Sequence, residues 1–213
     1  LLRLRLRDSR GTERVLLRIL EIDPGNRAAI DGIESLARES GDQRALAIWL
    51  SRKWDVSESQ TERRSLAMEL ARIQREHLDD AQAARTTLQR LLEEDPKCQE
   101  AWTLLEQWMI ASEEWGDLAD AYEKRASFEA ADVAIVLLKK AAGLRLGRMG
   151  DADGARRVLT RILSLDPAND FAFERMSELL EADQDFEGLV QLLEQRLLQV
   201  ADEEGRQLEA RLQ

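Results

Sequence analysis

The sequence predicts an all-α fold, an α–α superhelix built from antiparallel helical hairpins. Three observations predict it. The chain's only prolines, Pro24, Pro96 and Pro167, each follow Asp and stand 72 and 71 residues apart. Each closes a Leu-rich run of one form: LLRILEIDP, LQRLLEEDP and LTRILSLDP. The composition is 44% hydrophobic and 34% charged with only 5% aromatic, and it is rich in helix formers and sparse in Val, Ile and Thr. A fixed period of this length means stacked small units with a long surface rather than one central core.

A shift of 71 residues superposes more than the prolines. Leu66, Leu137 and Leu208 align, as do Ala84 with Ala155, Leu88 with Leu159 and Leu91 with Ile162. Counted from each proline, the sixth residue is Ile30, Trp102 or Phe173 and the twenty-second is Leu46, Leu118 or Leu189. These apolar positions fall at helical spacing and change phase near Gly41-Asp42, Glu113-Glu114 and Gln184-Asp185, so each block holds helices joined by tight turns.

Taken in order, LLRLRLR alternates like a strand, but the repeat shift makes it the end of a first helix over 1–7. A helix over 10–22 stops at Asp23-Pro24, because proline cannot continue the hydrogen-bond ladder and drives the residue before it out of the helical region. Asn26 then caps a helix over 26–39, paired with one over 43–54. The polar link Asp55–Gln60 is expected to be an irregular loop before helices over 59–77 and 80–94. After Asp95-Pro96 come helices over 98–112, 115–127, 131–148 and 151–165. After Asp166-Pro167 come helices over 169–182, 185–199 and 202–213. Residues 1–213 are thus expected to form a single array of about six hairpins and one terminal helix. The array is expected to belong to a longer protein, since both ends fall inside a hairpin.

The net charge of −11 argues against nucleic acid, whose binders carry basic residues to neutralise phosphates, and against anionic membrane surfaces. No apolar run nears the roughly 20 residues a membrane span requires. Only five of the 31 basic residues are Lys, a skew expected of a GC-rich genome. One cysteine, Cys98, excludes an internal disulfide framework, and a cytoplasmic location is preferred.

The residues resemble tetratricopeptide repeats. The stretch Leu146-Gly147-Arg148-Met149-Gly150-Asp151 through Ala155 and Leu159 to Asp166-Pro167 is similar to the family's second-helix pattern. Ala155 stands where the family places a small residue, and Trp102-x-x-Leu105 matches the opening of a first helix. The family's Gly after that Leu is replaced by Glu34, Glu106 and Ser177, and alternate units carry Glu58 and Ala130 instead of the terminal proline.

The resemblance implies a right-handed solenoid that recognises proteins, with first helices lining a concave groove. Carried across, the groove positions are Asp31, Glu69, Ile73, Glu100, Thr103, Gln107, Lys140, Phe171, Glu174 and Glu178. Leu66, Leu137 and Glu181 lie on the same implied face. The clamp some members use on a chaperone's C-terminal carboxylate needs Lys, Arg and Asn; here Asp31, Glu69, Thr103 and Glu174 stand there, with Lys140 alone basic. A peptide or helix carrying Lys or Arg suits this surface better.

Chemistry is sparse. His77 lies near a helix end beside Glu76 without the ligand set a metal site needs, and Cys98 has no second thiol, so no metal is expected. Gly143, Gly147, Gly150 and Gly154 lack the strand and Lys-Ser/Thr of a phosphate loop, and Gly143 and Gly147 are expected to serve close helix packing with a turn at Gly150. The five tryptophans fall on apolar phases and are expected to pack. No cofactor and no enzymatic activity are expected. The leading expectation is a scaffold or adaptor for a protein or peptide partner. The alternative is a structural spacer or regulatory region of a larger protein.

Overall fold

Asp-Pro punctuates the structure through one repeated turn. The backbone N–H two residues after the proline donates to the Asp carbonyl: Asn26 to Asp23 (3.1 Å), Cys98 to Asp95 (3.0 Å) and Asn169 to Asp166 (3.1 Å). Asn26 and Asn169 then cap the next helix, their side-chain oxygens accepting from the Ala29 and Ala172 N–H groups. Their amide nitrogens reach back to the Asp23 and Asp166 carboxylates at 3.1 and 2.8 Å. Cys98 has no amide to offer. Arg64 takes over that role, its Nε donating to Asp95 at 3.2 Å.

The computed structural model describes residues 9–212, with side chains through Gln199. Among the described residues there are eleven α-helices and no strand. They are α1 (Ser9–Ile22), α2 (Arg27–Ser40), α3 (Gln43–Val56), α4 (Gln60–Glu76), α5 (Ala81–Glu94) and α6 (Gln99–Ala111). Then come α7 (Trp115–Ala126), α8 (Ala131–Leu144), α9 (Ala152–Leu165), α10 (Asp170–Ala182) and α11 (Phe186–Leu212).

The chain falls into two compact units, 1–105 and 106–213. In the first, α1 packs on α2, α2 on α3, α3 on α4 and α4 on α5. Its core holds Ile30, Leu50, Trp54, Leu88 and Leu91. In the second, α7 packs on α8, α8 on α9, α9 on α10 and α10 on α11, around Leu138, Val158, Leu159 and Ile162. Each unit is therefore a stack of helical hairpins. Ala67, Ala71 and Ala84 in one, and Ala141, Ala142 and Ala155 in the other, are fully buried and let neighbouring helices approach closely. Trp49, Trp54 and Trp102 are buried and Trp108 and Trp115 half-buried, as packing residues should be.

Four local expectations are corrected. The link after α3 is shorter than expected. Only Ser57–Ser59 separates α3 from α4, with the buried Ser57 hydroxyl donating to Glu62 (2.6 Å) and Arg63 donating to the Trp54 and Ser57 carbonyls (2.9 and 3.1 Å). The helix expected over 131–148 ends at Leu144 and passes into a π-helical turn, Arg145–Met149. No break separates 199 from 202. α11 runs through, because no Gly or Pro stands between 199 and 202 to stop it. A Cβ at Gly143 or Gly147 would meet nothing within 4 Å, so these glycines do not serve close packing. The helix expected over 1–7 lies outside the described residues.

Every hairpin turns through a residue in the left-handed region: Gly41 (φ 72°), Asp79 (54°), Glu113 (55°), Gly150 (64°) and Gln184 (59°). At 41, 113 and 184 the hydrogen bonds are of Schellman type. The following N–H reaches back to the Ala37, Met109 and Leu180 carbonyls at 3.1, 2.9 and 2.9 Å. Only two of the five residues are glycine. A left-handed L-residue costs about 1–2 kcal/mol, and glycine's extra unfolded entropy takes back up to about 1. Glu113→Gly and Gln184→Gly are therefore each expected to raise unfolding stability by about 0.5–1 kcal/mol. Urea denaturation checks this, and unchanged midpoints would show the turns to be unstrained.

Candidate functional site

The first helices of the hairpins are α2, α4 and the start of α6 in one unit, and the end of α6, α8 and α10 in the other. In the first unit Asp31, Glu34 and Glu69 are already matched. Lys53, from α3, reaches Asp31 at 2.7 Å and Glu34 at 3.0 Å. Arg38 donates to Glu34 and Glu69, both at 2.7 Å, and Arg27 pairs with Asp31 and Glu62. Burial opposes ionisation of Glu34, but the hydrogen bonds from Arg38 and Lys53 outweigh it and hold its pKa below the ordinary glutamate value. Asp31 is lowered in the same way: burial works against it, and Lys53 and Arg27 prevail. These ion pairs tie α2 to both α3 and α4.

Ile73 has to be withdrawn from the surface. It is 6% exposed and belongs to the core, as do Leu66 and Leu137. Spacings of three and four along a helix do not say which of two adjacent stripes faces a neighbour. Glu100, Thr103 and Gln107 are exposed on α6, with the Thr103 hydroxyl bonded back to the Gln99 carbonyl (2.9 Å).

In the second unit Lys140 Nζ lies 3.2 Å from Glu106 and 5.0 Å from the Tyr122 ring. The Tyr122 hydroxyl donates to Glu106 at 2.6 Å. Burial and that carboxylate together push the Tyr122 pKa up. Phe171 is half-buried, with Lys139 Nζ 5.4 Å from its ring centre. Glu174, Glu178 and Glu181 are all exposed on α10. Glu178 pairs with Arg175 (2.7 Å), while Glu174 and Glu181 make no ion pair among the described residues.

Glu34 and Glu106 were not foreseen as organising residues. They occupy the place where the resembled family has Gly, and in both units that carboxylate gathers donors from the hairpin's second helix and a further first-helix cation. The signal was their shared register, ten residues after proline.

Cys98 is fully buried before α6, and His77 is exposed at the C-terminus of α4, where the helix dipole favours it. Among the described residues no three His, Cys, Asp or Glu side chains come together to hold a metal ion. No helix among them is long and apolar enough to cross a membrane.

A family model described as Tetratricopeptide repeat matches residues 67–97, most of the α4–α5 hairpin and its Asp95-Pro96 turn. This hairpin is a tetratricopeptide repeat. Within the repeat, Ala71 and Ala84 are the small residues at which its helices meet, and Leu88 and Leu91 seal the hairpin. No curated protein matches the chain. Among solved structures, the crystal structure of MamA protein is 15% identical over 80% of this chain and 90% of that one, with TM-score 0.39. A tetratricopeptide repeat protein from Parabacteroides merdae ATCC 43184 is 17% identical over 90% and 73%, with TM-score 0.39. The P58(IPK) TPR domain is 14% identical over 89% and 55%, with TM-score 0.35.

Proposed function

We propose that this chain is a protein–protein interaction scaffold that holds a basic peptide or helix of a partner against the first helices of its hairpins. One observation carries the reading: the acidic face of α10 is left open. Asp31 and Glu69 are matched by the chain's own cations, whereas Glu174 and Glu181 are exposed without one among the described residues. Like charges spaced three and four apart repel mildly, and a cationic partner relieves that repulsion. Phe171, on the same helix, offers an apolar anchor. Lys140, held by Glu106, belongs to the scaffold that shapes this face.

Replacing Glu174 and Glu178 together by Lys should leave far-UV circular dichroism and Tm unchanged, since exposed charges contribute only about 0–1 kcal/mol. Proteins retained from a native lysate by the wild-type chain should be lost from the variant. Retention of the same proteins by both moves the site off α10. If neither form retains anything specific, the chain is a spacer.

A further inference from the structure

Between α9, α10 and α11 the second unit holds a cavity of about 380 Å³. Its floor is Leu163, Met176, Leu180 and Leu192, the last three only 8%, 9% and 9% exposed. Its rim is Thr160 and Ser164 on α9 with Gln191 and Gln195 on α11. A volume of this size falls within the range of small-molecule sites, about 300–1,000 Å³.

The first unit places an indole at the same register. Counted from each proline, Leu163, Met176 and Leu192 correspond to Leu20, Ile33 and Trp49 on α1, α2 and α3. The Trp49 side chain is buried, and the Arg52 guanidinium lies 5.2 Å from its ring centre. In the third hairpin Leu192 stands for that Trp and Gln195 for that Arg. The space is therefore set within the α9–α10–α11 stack. The residue that takes this register after Pro24 belongs to the hairpin's own second helix, not to a helix that follows it.

The rim says what charge the occupant has. At its four positions the Pro24 repeat carries Leu17, Glu21, Ile48 and Arg52, and the Pro96 repeat Gln89, Glu93, Asp120 and Lys124. In a chain that is 34% charged, the set around Pro167 alone lacks an ionisable group. Neither an anion nor a cation finds a counter-charge on it, and Arg196, next along α11, is already paired with Asp170. The rim does offer acceptors. The Ser164 hydroxyl donates to the Arg161 carbonyl at 2.7 Å, which leaves its lone pairs, and Gln191 and Gln195 carry side-chain carbonyls. On the floor, the Met176 thioether suits contact with an aromatic ring.

We propose that this cavity binds a small neutral aromatic molecule of indole size that carries one N–H donor. Its ring takes the register that the Trp49 side chain has in the first unit, against Leu163, Met176 and Leu192. Its N–H is directed to the side-chain oxygens of the rim. The site opens between the second helices α9 and α11, so it stands or falls separately from the acidic face of α10.

The test is an NMR titration of the full chain, isotope-labelled in its methionine methyl groups, with indole. Ring currents should move the Met176 signal saturably and leave those of Met68 and Met149 in place. Leu192→Trp copies the first unit. It should keep helicity and weaken indole binding at least about tenfold, because its own ring fills the space. Indole-3-acetate, which adds a carboxylate, should bind at least about tenfold more weakly than indole. N-acetyltryptophanamide distinguishes a free molecule from a partner's Trp side chain, and it should bind no better than indole. No saturable Met176 shift, equal shifts of all three methionines, equal binding by Leu192→Trp or equal binding of the acetate overturns the proposal. Tighter binding of the amide overturns it in favour of a partner's tryptophan. Should Leu192→Trp lose helicity, the Met176 shift in the unsubstituted chain decides.

Discussion

Trp54→Ala should lower the unfolding free energy by about 3–5 kcal/mol. Trp54 is 1% exposed at the C-terminal turn of α3. Its ring carries the Arg90 guanidinium at 4.1 Å and that of Arg63 at 5.9 Å, and its Nε1 donates to Glu94 at 3.2 Å. One side chain thus joins α3 to α4 and α5, and its removal leaves a cavity and strips Glu94 of a donor. Trp54→Phe keeps most of the volume and loses only the N–H, so its cost should be about 1–2 kcal/mol. Because stacked repeats interact chiefly with their neighbours, hydrogen exchange in Trp54→Ala should accelerate most in α3, α4 and α5. An alanine variant within about 1 kcal/mol of wild type would show that the site collapses around the loss.

Gly154→Ala and Gly143→Ala should shift stability in opposite directions. Alanine in place of a helical glycine normally stabilises by up to about 1 kcal/mol, and Gly143, with open space around it, should follow that rule. Gly154 should not. A Cβ there would fall 2.0 Å from Asp151 Oδ2 and 2.8 Å from Arg145 Nη1. Asp151 caps α9 through the Gly154 N–H (2.8 Å) while its other oxygen takes Arg145 at 2.7 Å. Asp42 and Asp80 cap α3 and α5 above Ala45 and Ala83, so the cap alone tolerates a methyl group. It is the pull of Arg145 on Asp151 that fills the space. Gly154→Ala is therefore expected to destabilise by about 1–3 kcal/mol. In an Arg145→Met background Asp151 is free to turn away, and the same substitution should become neutral or stabilising. A double-mutant cycle in urea reads this coupling directly, and additive effects would refute it.

Helix identity and order were legible because they depend on local chemistry. Proline ends helices wherever it stands, Asn and Asp cap them, and a 3.6-residue apolar period marks a packed face. The expected helices therefore coincide with those observed to within about two residues from α1 through α10, apart from the C-terminal end of α8. The misreadings share a cause. Gly143, Gly147 and Gly154 look alike in a sequence, and only Arg145, arriving from the preceding π-helical turn to hold Asp120, Glu123 and Asp151, makes one of them indispensable. Ile73 and Glu69 belong to the same implied face, yet the packing of neighbouring helices buries the first and leaves the second beside Arg38.

By itself, the sequence determined the repeat, its helical class, the turn positions and the acidic balance, since each follows from residue type and spacing along one chain. Which carboxylates are neutralised and which stay open was decided by tertiary structure alone. The same Glu is a structural hub at position 34, where Arg38 and Lys53 converge on it, and an open anionic group at position 174, where no cation among the described residues reaches it. Ala47, Leu50 and Trp54 are core on α3, whereas Val190, Leu193 and Leu197, at the same distances after a proline, are exposed on α11 among the described residues. The reason is physical: hydrophobic burial and charge pairing are properties of what packs across from a residue, and that partner comes from another helix.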